Sequence, residues 1–346
     1  MLTEHYVRTP RHGTFYLAAG PEDGPLVVFL HGWPELSISW RHQLDCFGRL
    51  GYRAIAPDMR GYGRSSRPAH VADYAMEEIA RDMLELLDAM GRRSATWVGH
   101  DFGSPVAWTM AAHHADRCDA VANLCVPYFP TGFTPQNLIA LVDRDIYPDH
   151  LHPAGQWDYQ LYHAEHPERS RQVLEADVRA TVKALMQRGD PAGRGRAYRT
   201  ASFHSQGGWF GGADRAPDLA RDEAVLSEEA LCAYTAALQS GGFGGPDAWY
   251  LNPERNAAHA RQAPDGGRLA MPVLFLHAAY DWLCETCGSR LADPMRASCS
   301  DLTEAVVPSG HWMQQECPTE VNRILASWLF RDRGAKATEA VAVKQP

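Results

Sequence analysis

Apolar positions along this chain follow two alternating rhythms and then, through a long middle stretch, neither. Pro25-Leu26-Val27-Val28-Phe29-Leu30 is an unbroken apolar run, the pattern of a strand buried on both faces of a sheet. Residues 52–57, 95–98, 120–126, 272–277 and 302–307 also read as strands, 95–98 as a buried one. Between them Met76, Ile79, Ala80, Met83, Leu84, Leu87 and Met90 recur at helical spacing until Gly91 ends the pattern. Residues 105–112 predict a second, mostly apolar helix, and Val321, Ile324, Leu325, Trp328 and Leu329 share one face of a closing helix. Strands and helices alternating in this way predict an α/β fold built on a doubly wound, mostly parallel sheet.

The rhythm lapses from about residue 131 to 267. Helical stretches at 173–185 and 227–238 are separated by Gly207-Gly208-Trp209-Phe210-Gly211-Gly212 and Gly241-Gly242-Phe243-Gly244-Gly245. These glycine runs are too short and too aromatic for a flexible linker, and neither matches a phosphate-cradling pattern. The stretch reads as an inserted helical lid. The expected organisation is a core over 1–130, a lid over 131–268, the rest of the core over 269–331 and a disordered tail over 332–346.

With 346 residues, 45% of them apolar, the chain can bury a large core in one or two domains. Its formal charge of -9 argues against a nucleic-acid binder, which shows a basic excess. No basic and apolar leader and no bilayer-length apolar run is present, so a cytoplasmic protein without a membrane span is expected. Eight cysteines are scattered along the chain. Cys284-Glu285-Thr286-Cys287 forms a CxxC, but no second pair or histidines stand at ligand spacing. Ordinary reduced thiols and no metal are expected.

The candidate chemistry centres on Gly99-His100-Asp101-Phe102-Gly103-Ser104, which joins a predicted strand to a predicted helix. A small-x-acid-x-small turn there has the geometry of a nucleophile elbow, with helix N–H groups beneath the central side chain. The central residue is usually serine; here it is Asp101. A carboxylate with an ordinary pKa of about 3.9 is anionic at neutral pH without help. It is poor at opening carboxylic esters but can displace a leaving group from an sp³ carbon, such as an epoxide oxygen or a halide. The plainer alternative is that Asp101 caps the following helix.

His31-Gly32-Trp33-Pro34-Glu35 closes an earlier strand, where backbone amides face the carboxyl end of a parallel sheet. The N–H groups of Trp33 and Phe102 would form an oxyanion hole. Late in the chain Asp281 and His311 each follow a predicted strand. Asp101, Asp281 and His311 therefore stand in the order nucleophile, acid, histidine, each at a strand's carboxyl end. The loop Asp58-Met59-Arg60-Gly61-Tyr62-Gly63-Arg64-Ser65-Ser66 reads as a brace of turns and ion pairs.

These motifs resemble those of the α/β-hydrolase-fold epoxide hydrolases of the soluble type, over about residues 25–330. The resemblance rests on His31-Gly32-Trp33-Pro34, Gly99-His100-Asp101, Gly310-His311-Trp312 and two lid segments. The lid segments are Trp157-Asp158-Tyr159-Gln160-Leu161-Tyr162 and residues 240–252, which contain Trp249-Tyr250-Leu251-Asn252. The family places one tyrosine from each segment over the nucleophile, which implies Tyr159 and Tyr250, with Tyr162 the competitor for Tyr159. A phenol, ordinarily protonated at neutral pH, can donate to the alkoxide that ring opening creates. The resemblance also implies a cis Trp33–Pro34 peptide and a substrate pocket that includes His31, Pro34, Trp157 and Gln160. Trp209, Phe210 and Phe243 would add aromatic lining. Many members carry tryptophan after the nucleophile, whereas this chain has Phe102.

The implied activity is conversion of an epoxide to a vicinal diol through an ester on Asp101, a detoxifying reaction without cofactor or metal. The expected partner is a small apolar or aromatic epoxide, and a homodimer is compatible with the sequence. A haloalkane dehalogenase would share the aspartate, but a halide calls for N–H donors rather than phenols. A non-catalytic ligand sensor on the same scaffold is the other alternative.

Overall fold

In the computed structural model residues 2–342 are described, with side chains as far as residue 330. Of the tail expected to be disordered over 332–346, residues 332–342 continue the closing helix Pro318–Ala342, and 343–346 lie outside the described residues. Eight strands make one sheet: β1 (Thr3–Arg8), β2 (Gly13–Ala19), β3 (Leu26–Leu30), β4 (Arg53–Pro57), β5 (Ala95–His100), β6 (Cys118–Leu124), β7 (Val273–Ala278) and β8 (Leu302–Val307). Their order is β1-β2-β4-β3-β5-β6-β7-β8. β3 to β8 run parallel, while β1 and β2 add antiparallel to the β4 edge. β3, β4, β5 and β7 are buried along their whole length, as their apolar runs require. The pattern search misses β1 and β2. Thr-Glu-His-Tyr-Val-Arg of β1 is largely exposed and is held by its ladder to β2 rather than by an apolar face.

The chain leaves β3 for β4 on one side and returns to β5 on the other, so the crevice at this reversal lies between the ends of β3 and β5. The helix Met76–Ala89 ends near Gly91 as its periodicity predicts, and the helix Gly103–His113 leaves β5 at the elbow. Between β6 and β7 no strand is formed among the described residues. Helices fill the interval, including Asp158–Glu165, Pro167–Glu175, Val178–Leu185, Glu228–Gly241 and Pro253–Ala260. The single helix expected over 173–185 is two, because Asp177 starts a new one by accepting the Ala180 N–H at 3.0 Å.

This helical segment closes over the strand ends through tryptophan indoles that donate across the junction. Trp249 Nε1 donates to the Arg60 carbonyl (3.0 Å), Trp312 Nε1 to the Leu185 carbonyl (3.1 Å) and Trp282 Nε1 to the Asp190 carbonyl (2.8 Å). The loop over 58–66 is braced as its composition suggests. Asp58 accepts the backbone N–H groups of Ser37 and Arg64, each at 3.0 Å, and Arg60 grips Asp82 with two bonds of 2.6 Å. No helix is long and apolar enough to cross a membrane among the described residues.

Candidate active site

At the end of β5 the backbone turns through Asp101, whose φ of 48° lies in the left-handed region that most side chains avoid. Neighbouring glycines make the turn fit: a Cβ at Gly103 would strike the Leu30 carbonyl, and one at Gly32 the Asp101 carboxylate. The carboxylate thus sits directly against the loop that follows β3. Asp101 Oδ1 accepts the Trp33 backbone N–H at 2.7 Å, and the Phe102 N–H adds a further backbone contact. The Trp33–Pro34 peptide is cis.

His311 reaches the other oxygen. Its Nε2 lies 3.5 Å from Asp101 Oδ2, and its Nδ1 lies 2.7 Å from Asp281 Oδ2. The second oxygen of Asp281 accepts the N–H groups of Leu283 (3.1 Å) and Cys284 (3.0 Å). Burial works against every charge here, but the groups offset it mutually. The His311 contact and backbone N–H groups hold Asp101 and Asp281 below the usual carboxylate range. The two carboxylates in turn raise His311 well above an ordinary imidazole. At neutral pH the arrangement is an anion–cation–anion row, with Asp101 Oδ1 on the Trp33 N–H and Oδ2 facing His311.

Tyr159 and Tyr250 line the same cavity as Asp101 and His311, their rings 5.9 Å apart. Burial pushes both phenols above their ordinary pKa, so both stay protonated. Tyr162 is not brought to the cavity; its hydroxyl donates to the Gly207 carbonyl at 3.0 Å. The cavity measures about 280 Å³, and its wall is completed by Leu185, Tyr198, Arg199, Trp209, Tyr280, Trp282 and Trp312 among others.

Of the expected pocket residues, His31, Pro34, Trp157 and Gln160 are not among those that line this cavity. His31 is fully buried, its Nδ1 against the Gly32 carbonyl and its Nε2 accepting the Met59 N–H, each at 2.9 Å. Pro34 is buried in the turn after Trp33. Trp157 packs edge-on against Phe133. Gln160 donates its side-chain amide to the Tyr159 hydroxyl at 3.2 Å. Trp209 lines the cavity as expected, whereas Phe243 packs behind Trp33. The lining from Tyr198, Tyr280 and Trp282 comes from irregular segments, where no periodicity marks the inward-facing side.

Sequence reasoning also misses a buried pair beneath His311. Glu35 Oε2 lies 2.8 Å from His100 Nδ1, and Gln314 Nε2 donates to Glu35 Oε1 at 2.8 Å. Burial opposes the charge on His100, but Glu35 pushes the ring up to about 10. Its Nε2 then donates to the His311 backbone carbonyl at 2.7 Å, fixing that residue from behind. Both residues sit inside the two recognised loop motifs, which is the signal that points to them.

Two groups could bring metal-ligand atoms together among the described residues: His100, Cys125 and His311, and the exposed Glu165, His166 and His204. The first is committed to the hydrogen bonds above. In the second, His204 bridges Asp158 (2.6 Å) and Glu165 (3.2 Å) as an ion pair. All eight thiols are free; Cys284 is buried and Cys287 exposed.

With this geometry in view, the chain was compared with known proteins. Residues 25–318 match the family model described as alpha/beta hydrolase fold. The Mycobacterium tuberculosis protein named Epoxide hydrolase A is 32% identical over 328 residues, covering 94% of this chain and 97% of that protein. The pig protein named Bifunctional epoxide hydrolase 2 is 32% identical over 312 residues. The match covers 89% of this chain but only 52% of the pig protein, so the chain spans about half of that relative's length. The solved structure of Epoxide Hydrolase A from Mycobacterium thermoresistibile superposes with a TM-score of 0.77 at 31% identity, covering 95% of this chain and 98% of that one.

Proposed function

Because the chain belongs to the α/β-hydrolase fold family, and within it to the epoxide hydrolases, we propose that it opens epoxides to vicinal diols in two covalent steps at Asp101. One observation carries the reading. A carboxylate held by the Trp33 N–H at 2.7 Å faces His311 at 3.5 Å, in a cavity that two protonated phenols also line. In the first step Asp101 attacks an epoxide carbon and the C–O bond breaks. Tyr159 or Tyr250 gives a proton to the departing oxygen while the other holds it. The product is a hydroxyalkyl ester of Asp101.

Ester formation removes the negative charge of Asp101 and with it part of what keeps His311 protonated. The ring, now paired with Asp281 alone, gives up its proton, which restores the phenol deprotonated in the first step, and serves as base. It takes a proton from water as that water attacks the ester carbonyl. The resulting oxyanion occupies the place of the Asp101 oxygen held by the Trp33 and Phe102 N–H groups. Collapse frees the diol and restores Asp101. The scheme uses water and this chain's own groups throughout, with the helical segment over 131–268 as its cap.

The aromatic lining supports an apolar or aromatic epoxide. A halide leaving group fits less well. The Phe102 side chain carries no N–H, the indoles of Trp33, Trp282 and Trp312 are already committed to Asp247, Asp190 and Leu185, and Trp209 Nε1 has no partner but is buried. The test is diol formation from terminal, aromatic and internal epoxides, with Asp101→Ala in parallel. Diol from the native protein alone is the expected result. No diol but halide from bromoalkanes would make the protein a dehalogenase. Binding of epoxides with turnover of neither class would make it a sensor.

A further inference from the structure

Behind Tyr250 the helical segment buries a histidine and a carboxylate that the scheme above leaves unused. His163, on the helix Asp158–Glu165, has no exposed surface. Its ring lies on that of Tyr250 with centroids 4.6 Å apart and planes within 23°. Its Nε2 is 3.4 Å from Asp247 Oδ1. The same oxygen accepts the Trp33 indole N–H at 3.0 Å. Trp33 and Trp209 close the surroundings, meeting the His163 ring edge-on at 6.3 and 6.2 Å.

This pair is poorly satisfied for its burial. Neither nitrogen of His163 has a hydrogen bond of good geometry, and Asp247 Oδ2 has no partner. Replacing such a pair by apolar side chains of similar size is often neutral or stabilising, so packing alone gives little reason for it. Its position gives a better one. When Tyr250 gives up its proton, negative charge develops on a phenol where burial first, and the neighbouring Asp101 and Asp247 carboxylates after it, oppose that charge, so the hydroxyl must be well placed to give its proton directly to the departing oxygen. An imidazole stacked on that ring, with a carboxylate behind it, holds the plane of the phenol and so the position of its hydroxyl. Asp247 also ties the pair to Trp33, the residue whose backbone N–H holds Asp101. One carboxylate thereby links the proton donor of the helical segment to the loop that positions the nucleophile.

We propose that His163, held by Asp247, is a positioning residue for Tyr250: it sets the plane of the phenol and keeps its hydroxyl aimed at the oxygen that departs as the epoxide opens. The inference rests on the reading of Tyr250 as a proton donor. It predicts a defect confined to the first half-reaction and graded by the basicity of the departing alkoxide. Single-turnover ester formation and ester hydrolysis are followed separately by tryptophan fluorescence in His163→Phe and Asp247→Asn. The substrates are propylene oxide and its trifluoromethyl analogue, whose alkoxide needs a proton far less.

The expected result is slower ester formation from propylene oxide, by on the order of tenfold to a hundredfold, part of what general-acid help supplies. The loss shrinks with the trifluoromethyl substrate, and ester hydrolysis is unchanged. Asp247→Asn keeps an acceptor for the Trp33 indole and shows a smaller loss of the same kind, so the test survives if His163→Phe does not fold. Equal losses for both substrates and both half-reactions would overturn the proposal, as would no loss. Tyr250→Phe, measured alongside, separates the two levels. If it forms ester at the native rate, the donor reading itself fails; if it is slow while His163→Phe is not, only the role of His163 falls.

Discussion

Asp101 occupies a backbone conformation that few side chains accept, and the consequence is chemical. The turn thrusts one carboxylate oxygen toward the Trp33 N–H and the other toward His311. The two steps of the proposed scheme then have different pH requirements. The first needs Asp101 ionised, and despite its burial His311 holds it below the usual carboxylate range. The second needs His311 neutral, although burial is outweighed by Asp281 and Asp101, which raise it. Losing the Asp101 charge in the ester lowers that raised pKa but leaves the Asp281 contribution. For substrates limited by ester hydrolysis, kcat therefore falls on the acid side at a higher pH than kcat/KM does. Asp281→Asn removes the remaining carboxylate and moves the kcat limb to lower pH. pH–rate profiles of both proteins check this; one shared limb, unmoved by Asp281→Asn, would contradict it. Asp101, Asp281 and His311 are legible in the sequence because each stands in a short motif just after a strand. His163 and Asp247 are not, because their meaning lies in a stack of His163 on Tyr250 and in a contact between His163 and Asp247, 84 positions apart.

At the scale of elements, what is legible follows burial. The central strands are apolar on both faces and declare themselves, whereas β1 has no apolar face to show. The break within 173–185 is missed because Asp177 reads as a polar position of one helix, not as the cap of a second. The helix Met76–Ala89 shows its apolar stripe plainly, but periodicity does not reveal the partners of its buried acid. Asp82 is 1% exposed and Arg60 4%; Arg60 holds both oxygens of Asp82 at 2.6 Å, and Arg11 adds a second guanidinium. This helix and the loop over 58–66 are thus locked by a buried charge pair. Asp82→Asn leaves Arg60 without its counter-ion and is expected to destabilise the fold by about 3–5 kcal/mol, read from urea unfolding. A loss below about 1 kcal/mol would mean that the pair is solvated and does not lock these elements.

In the whole molecule the sheet supplies Asp101, Asp281 and His311, and the helical segment supplies Tyr159 and Tyr250. The cavity lies between them. Each half is legible by motif, but their mutual placement is not. It depends on indole donors such as Trp249 and Trp312 reaching single backbone carbonyls across the junction, a kind of contact without sequence periodicity. That placement allows two half-reactions with different partners, so removing the base should strand the intermediate between them. The most direct measurement is the intact mass of His311→Gln after incubation with an epoxide. The account predicts a gain equal to one epoxide, mapped by peptide digestion to Asp101 and absent from Asp101→Ala. An inactive His311→Gln that gains no mass, or gains it at another residue, would contradict a covalent mechanism at Asp101.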